Sequence, residues 1–329
     1  MTIADRPPSR RQMLAGAAGL ALLGTRAATA QEAWPTKPVS IVSPYPPGGS
    51  NDTVARLAAE HLQRALGQSF IIDNRPGAAG VIGSAAVMRA KPDGYTLLAG
   101  NNGALVVQAV VKTPSPYDPA TQFQPIVKFV DAGQFIAVHA DLPVKTVGEL
   151  IALAKRQPGK LNYSSAGIGA FGHFVGEYFK LLAGIDMVHI PSKGSAAALT
   201  ELMSGRIQVM IDPLVLTQIA GGKVRVLATV NAERFPAYPQ IPTIKESGGP
   251  AIDITGWFGL LGPVGLPQDI IRKIEAAGRT MMADPEVQKV FVTAGLKPAF
   301  LDSAAFASLV ASDLKLYADI KTRARMQVD

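Results

Sequence analysis

Short apolar runs alternate with amphipathic stretches along most of this chain. Val39-Ser40-Ile41-Val42-Ser43 has the length and composition of a buried strand. From Val54, the apolar positions Val54, Leu57, Ala58, Leu62, Ala65 and Leu66 recur at helical spacing, while Glu60, Gln63 and Arg64 fall off that face. The same reading predicts strands over 69–72, 95–99, 135–138, 161–165, 187–190, 209–212, 224–229 and 258–261. It predicts helices over 81–90, 146–156, 173–182, 196–204, 268–282, 285–294 and 303–323, and an irregular proline-rich segment over 231–249. Strand followed by helix throughout predicts an α/β protein with mostly parallel sheets. A fresh set of βα units beginning near residue 135 predicts a second domain facing the first.

Ligands in open α/β sheets sit beyond the carboxyl ends of the strands, so the loops there carry the chemistry. Pro44-Tyr45-Pro46-Pro47-Gly48-Gly49-Ser50-Asn51-Asp52 joins the first strand to the first helix. Two glycines let the backbone approach a ligand, and the first N–H groups of the helix have no partner inside it. An anion there meets bare donors and the positive end of the helix dipole, so this loop is expected to hold a carboxylate. An ordinary capped turn, with Ser50 or Asp52 accepting a free N–H, is the plain structural alternative. Small-residue loops recur at Arg75-Pro76-Gly77-Ala78-Ala79-Gly80, Gly100-Asn101-Asn102-Gly103 and Ala166-Gly167-Ile168-Gly169-Ala170-Phe171-Gly172. His173 begins the helix after the last of these, Lys193-Gly194 lies in another turn, and Asp212 closes a buried strand.

Composition narrows the function. Ser9-Arg10-Arg11-Gln12-Met13-Leu14, an apolar run over 14–23 and Ala28-Thr29-Ala30 form a signal peptide, residues 1–30, with an arginine pair of twin-arginine type. Its removal takes away four arginines and Asp5, lowering the net charge from +7 to +4. The remaining lysines and arginines are scattered, which argues against a nucleic-acid partner. The chain has no cysteine, so thiol nucleophiles, thiolate metal sites and a lipid anchor are excluded. Its four histidines show no metal-ligand spacing, and neither a nucleophile elbow nor a P-loop occurs. No catalytic or metal-binding constellation remains, and no cofactor is expected. The rival is a nicotinamide-dependent oxidoreductase using Gly167-Ile168-Gly169-Ala170-Phe171-Gly172, which fits G-x-G-x-x-G. That unit lacks the ribose-binding acid about 20 residues on, since its second strand ends at His189-Ile190-Pro191.

The loop over 44–52, Asn74-Arg75-Pro76-Gly77, Asp93-Gly94-Tyr95-Thr96-Leu97-Leu98, Ser165-x-Gly167-x-Gly169 with His173, and Lys193-Gly194 occur in an order that resembles the Bug (TctC) family. Ile241-Pro242-Thr243, Glu246-Ser247-Gly248 and Trp257-Phe258-Gly259 extend the likeness over the mature chain. The resemblance implies a periplasmic solute-binding protein of a tripartite tricarboxylate transporter, not an enzyme. It implies the type II periplasmic binding protein fold, two α/β lobes with a ligand cleft between them, in a monomer that delivers a small carboxylate to a membrane permease. The expected lobes are residues 31–131 with 255–329 and residues 132–254. On this resemblance Tyr45, Pro46, Gly48, Gly49 and Ser50 cradle the carboxylate, Asp52 caps the helix behind it, and Gly77 and Ala78 close one side. Ser165, Gly167, Ile168, Gly169 and His173 meet the ligand from the other lobe, with Lys193, Gly194 and Asp212 at the rim. Asn101-Asn102, Ala79, Ser192 and Gln208 depart from the family's usual residues, which leaves the ligand's identity open.

Overall fold

The computed structural model describes residues 34–324; the segment read as a signal peptide lies outside them. In chain order the strands are β1 (Val39–Ser43), β2 (Phe70–Asn74), β3 (Thr96–Asn101), β4 (Phe123–Ala132), β5 (Phe135–His139), β6 (Asn162–Ser165), β7 (Val188–Pro191), β8 (Val209–Ile211), β9 (Val224–Thr229), β10 (Gly256–Pro263) and β11 (Leu296–Leu301). The helices are α1 (Ser50–Leu66), α2 (Val81–Met88), α3 (Gln108–Val111), α4 (Pro119–Gln122), α5 (Val147–Arg156), α6 (Phe171–Ala183), α7 (Ser195–Met203), α8 (Gln268–Ala283), α9 (Pro285–Thr293) and α10 (Ser303–Ala324). One sheet has six strands in the order β11-β4-β10-β3-β1-β2, and the other five, β7-β6-β8-β5-β9.

Period-two alternation places the central strands between two cores. In β1, Val39 and Ile41 join the cluster under α1 and α8, while Val42 turns to the opposite cluster with Val87 and Leu98. In β5, Ile136 and Val138 face that second cluster, and Phe135 and Ala137 pack with Leu199 and Met210. The helices obey the same geometry: Val54, Ala58 and Leu62 of α1 are buried at helical spacing.

The expectation of mostly parallel sheets is corrected. β1 runs parallel to β2 and β3, and β6 to β7 and β8. However, β10 is antiparallel to β3 and β4, β11 to β4, and β5 to β8 and β9. β5, on which the chain enters the second sheet, and β10, on which it re-enters the first, run against their neighbours on both sides, and β11 at the edge runs against β4. Periodicity predicts neither β4 nor β11. Within β4, Pro125 sits at a register shift opposite Leu261, and the buried Lys128 pairs with Asp131, so neither residue looks like core in sequence.

Gly133 and Gln134 alone separate β4 of the first sheet from β5 of the second. The return passes through Thr255 into β10. Tyr317 of α10 lies at this junction: its hydroxyl accepts from Asn102 Nδ2 at 3.1 Å and donates to the Thr255 carbonyl at 3.4 Å. Its ring packs on Phe171 and Phe174 of α6, with centroids 6.0 and 5.2 Å away.

Candidate functional site

Three helices begin at one cavity between the sheets. α1, α6 and α7 follow Gly49, Ala170 and Gly194, none of which supplies a side-chain cap to the helix it precedes. Elsewhere Thr146 caps α5 and Asp284 caps α9 through side-chain oxygens. The cavity has a volume of about 70 Å³ and is lined by Gly49, Ser50 and Asn51 of the first helix start, Ala170, Phe171 and Gly172 of the second, and Gly194, Ser195 and Ala196 of the third. Tyr45, Pro46, Pro47, Asn101, Asn102, Ala132, Gln134, Ala166, Lys193, Asp212, Pro213 and Phe258 complete the wall. At about 10–15 Å³ of such space per water, it accommodates a compact solute.

Close packing brings these starts together. A Cβ built on Gly172 would stand 2.2 Å from the Ile211 carbonyl, so only glycine lets α6 begin against the end of β8. A Cβ on Gly49 would be 3.8 Å from Ser195 Cβ, which shows how nearly α1 and α7 face each other. Gly48 and Gly194 have φ of +89° and +105°, conformations that other residues adopt only under strain.

The polar side chains divide into positioning groups and open ones. Asn101 Nδ2 donates to Asn51 Oδ1 at 2.9 Å, Asn51 Nδ2 to Ser43 Oγ at 3.0 Å, and Asn101 Oδ1 accepts the Ala104 N–H at 2.9 Å. Both amides thereby fix α1 to the ends of β1 and β3. The Tyr45 hydroxyl donates to the Ala79 carbonyl at 3.1 Å, and burial raises its pKa. Asp212 accepts from Ser195 Oγ at 2.7 Å and from the Leu214 N–H at 2.9 Å, and burial still pushes its carboxyl up to about 6. By contrast, Ser50 Oγ and Gln134 Oε1 are buried without a hydrogen-bond partner. Lys193 and Asp212 are the cationic and acidic side chains of the wall.

Of the residues anticipated from sequence, Tyr45, Pro46, Gly49, Ser50, Asn101, Asn102, Lys193, Gly194 and Asp212 line this cavity. The others stand outside its wall. Asp52 does not cap α1; its carboxylate turns back to accept the Gly48 N–H at 3.2 Å, and it is bound by Arg56 Nε at 2.8 Å and Asn74 Nδ2 at 3.3 Å. These groups hold its carboxyl below the usual range despite partial burial. Gly77 and Ala78 lead a bend in which Ala78 and Ala79 have φ of 48° and 51°, and Ala79 rather than Gly77 approaches the second lobe, beneath Gly167. Ile168 is exposed and gives its carbonyl to Gln108 Nε2 at 3.2 Å, while Gly169 packs on the same side chain.

His173 lies behind that glycine turn, not in the cavity. Its Nδ1 accepts the Gly169 N–H at 2.9 Å and its ring stacks on His189 with centroids 3.8 Å apart. Ser165 Oγ is in turn 2.8 Å from His189 Nε2. Burial lowers the two imidazoles to about 4 and about 3 respectively, so both are neutral near pH 7. Gln134, Phe171, Ser195 and Phe258 were missed as wall residues. For Ser195 the signal existed, a hydroxyl at a helix start beside Lys193-Gly194, and Phe171 stands inside the glycine loop over 166–172; the other two reach the cavity only through tertiary approach.

The profile of the tripartite tricarboxylate transporter family receptor matches residues 54–324. Protein BugT of Bordetella pertussis is 30% identical over 304 residues, 92% of this chain and 93% of that protein. The solved periplasmic binding protein BugD is 31% identical with a TM-score of 0.84, covering 88% of this chain and 98% of that one. An R. palustris protein solved with adipate is 32% identical with a TM-score of 0.84, over 88% of this chain and 98% of its own. MatC from Rhodopseudomonas palustris, with bound malate, is 27% identical with a TM-score of 0.82, over 87% of this chain and 99% of its own. The matching family is one of transporter receptors, binding proteins and not enzymes, which removes the nicotinamide reading of the Gly167–Gly172 turn; its Gly169 N–H is in any case held by His173. Three helix starts converging between two α/β lobes, with this family match along the chain, place the protein in the TctC/Bug family of periplasmic tripartite tricarboxylate transporter receptors.

Proposed function

We propose that this protein captures a small carboxylate-bearing metabolite in the cavity between its lobes and delivers it to the membrane subunits of a tripartite tricarboxylate transporter. The observation that carries the reading is the meeting of three helix N-termini without side-chain caps at one cleft, with the Ser50 hydroxyl buried there and unpaired. Unpaired N–H groups and three dipole ends supply a positive field without a buried arginine, which suits a carboxylate. The solved relatives holding adipate and malate support this ligand class.

The mobile units in this reading are residues 31–131 with 255–329 and residues 132–254, joined at Gly133-Gln134 and at Thr255. Gly48 and Gly49 against Ala196 and Ser195, and Gly167 against Ala79, form the seam that parts when the ligand leaves. Tyr45 to Ser50 grip the acid from one side and Gly194 with Ser195 from the other. Gly167, Ile168, Gly169 and His173 shape the closing edge. Hinge closure of this kind is the common motion of two-lobed binding proteins.

A thermal-shift screen with small carboxylic acids tests the proposal. A true ligand at about 100 times its Kd is expected to add about 2.7 kcal/mol of stability, which appears as a clear rise in Tm. An unchanged Tm across mono-, di- and tricarboxylates, in a protein that melts cooperatively, would contradict it.

A further inference from the structure

Where α7 starts and the ends of β8 and β5 meet, the cavity wall carries a carboxylate and an unpartnered amide oxygen, which a receptor for a simple anion does not need. Asp212 follows β8 and Gln134 precedes β5, and the Asp212 N–H donates to the Phe135 carbonyl at 3.2 Å, so the two side chains arise from adjacent strand ends. Asp212 is 8% and Gln134 4% exposed, and both line the cavity. A carboxylate has about four lone-pair positions, and the contacts from Ser195 and Leu214 use two of Asp212's. Gln134 Oε1 has no donor at all. Buried acceptors without donors are costly, and a second carboxylate set beside Asp212 adds repulsion between like charges.

We infer that Asp212, assisted by Gln134, reads a hydrogen-bond donor on the ligand, an ammonium or hydroxyl group near its carboxylate, and so selects amino or hydroxy acids over plain acids of equal length. The inference rests on the carboxylate reading above and deepens it. The ligand's acid group lies against the start of α1, and its donor group turns to Asp212 and Gln134 at the ends of β8 and β5. The ammonium form gains most, because it neutralises a carboxylate that is already out of water.

Matched sets of acids test this by calorimetry on the purified protein: propionate, alanine and lactate; succinate, aspartate and malate; glutarate, glutamate and 2-hydroxyglutarate. In the set that fits, the amino or hydroxy acid is expected to bind about 10–100-fold tighter than the plain acid, as for a hydrogen bond to a charged group. The member favoured separates ammonium from hydroxyl. Asp212→Asn, which keeps an oxygen for the Leu214 N–H, is expected to erase that preference, and Gln134→Met to reduce it; should either variant fail to fold, the wild-type ranking still decides. A plain acid bound as tightly as its partners, with a proton taken up on binding, overturns the role of Asp212 and leaves the carboxylate reading intact. Absence of binding throughout the panel overturns both.

Discussion

Ser50 illustrates how one side chain can cost stability and serve binding. Its hydroxyl is buried at the first turn of α1 with no partner, a deficit that a carboxylate oxygen would relieve. Ser50→Ala is therefore expected to leave the Tm of the empty protein unchanged or slightly higher. It should weaken binding of whichever acid scores in the screen by about 5–10-fold, the worth of one hydrogen bond of about 1 kcal/mol. A variant that binds with wild-type affinity would show that the hydroxyl faces no ligand. At this scale the chain spoke clearly where a residue type is locally meaningful: Gly48 and Gly49 before a helix, or Asp212 after an apolar run. Gln134 and Phe258 carry no such mark, because a glutamine between strands or a phenylalanine within a strand acquires its place only when distant segments meet, whereas Phe171 stands inside the glycine loop over 166–172.

Among the elements, α1 shows how a helix start is kept open for a ligand yet held in place. Asp52 lies in its first turn and reaches back to Gly48, a contact that orders the preceding bend instead of filling the first free N–H positions. Asp52→Ala also releases Asn74 and the largely solvated Arg56, whose ion pair contributes little. The expected cost is about 1 kcal/mol in urea denaturation at pH 7, and a wild-type midpoint would refute the bracing role. Most βα units were legible because their apolar periodicity is regular. β4 was not, since a strand between two neighbours needs no alternation, and Pro125 and Lys128 disguise it; β11 was not, because it is an edge strand with Leu296 as its one buried residue and Pro298 within it. The short helical turn at Gly103–Val107 escaped because it is buried throughout, where contacts and not propensity choose the conformation, and Pro213–Gly221 escaped because it starts buried and runs out to solvent, with no helical face to read.

For the whole molecule, buried titrating groups oppose one another. Burial pushes Asp313, which accepts from Trp257 Nε1 at 2.8 Å, up to about 6, and does the same to Asp212. Acids raised in this way hold more protons folded than unfolded, so their contribution to stability falls as pH rises from about 4 to about 6. His173 and His189 are lowered from 6.5 to about 4 and about 3, so they hold fewer protons folded, and stability rises with pH over nearly the same window. The wild type should consequently show a shallow profile there. Asp313→Asn, which keeps an acceptor for Trp257, is expected to lose more stability than wild type on acidification from pH 6.5 to 4.5; parallel melting curves would count against the balance. Tyr317, wedged where α10, α6 and the Thr255 crossing meet, adds a mechanical corollary. In the closure proposed above that corner is the fulcrum, and the lobes are expected to swing widest at the far lip, around Gly48 and Gly194. A small rotation at the tyrosine then opens that lip, and because its hydroxyl holds Asn102 and its ring holds Phe171, trimming the ring is expected to alter the cavity wall together with the resting angle.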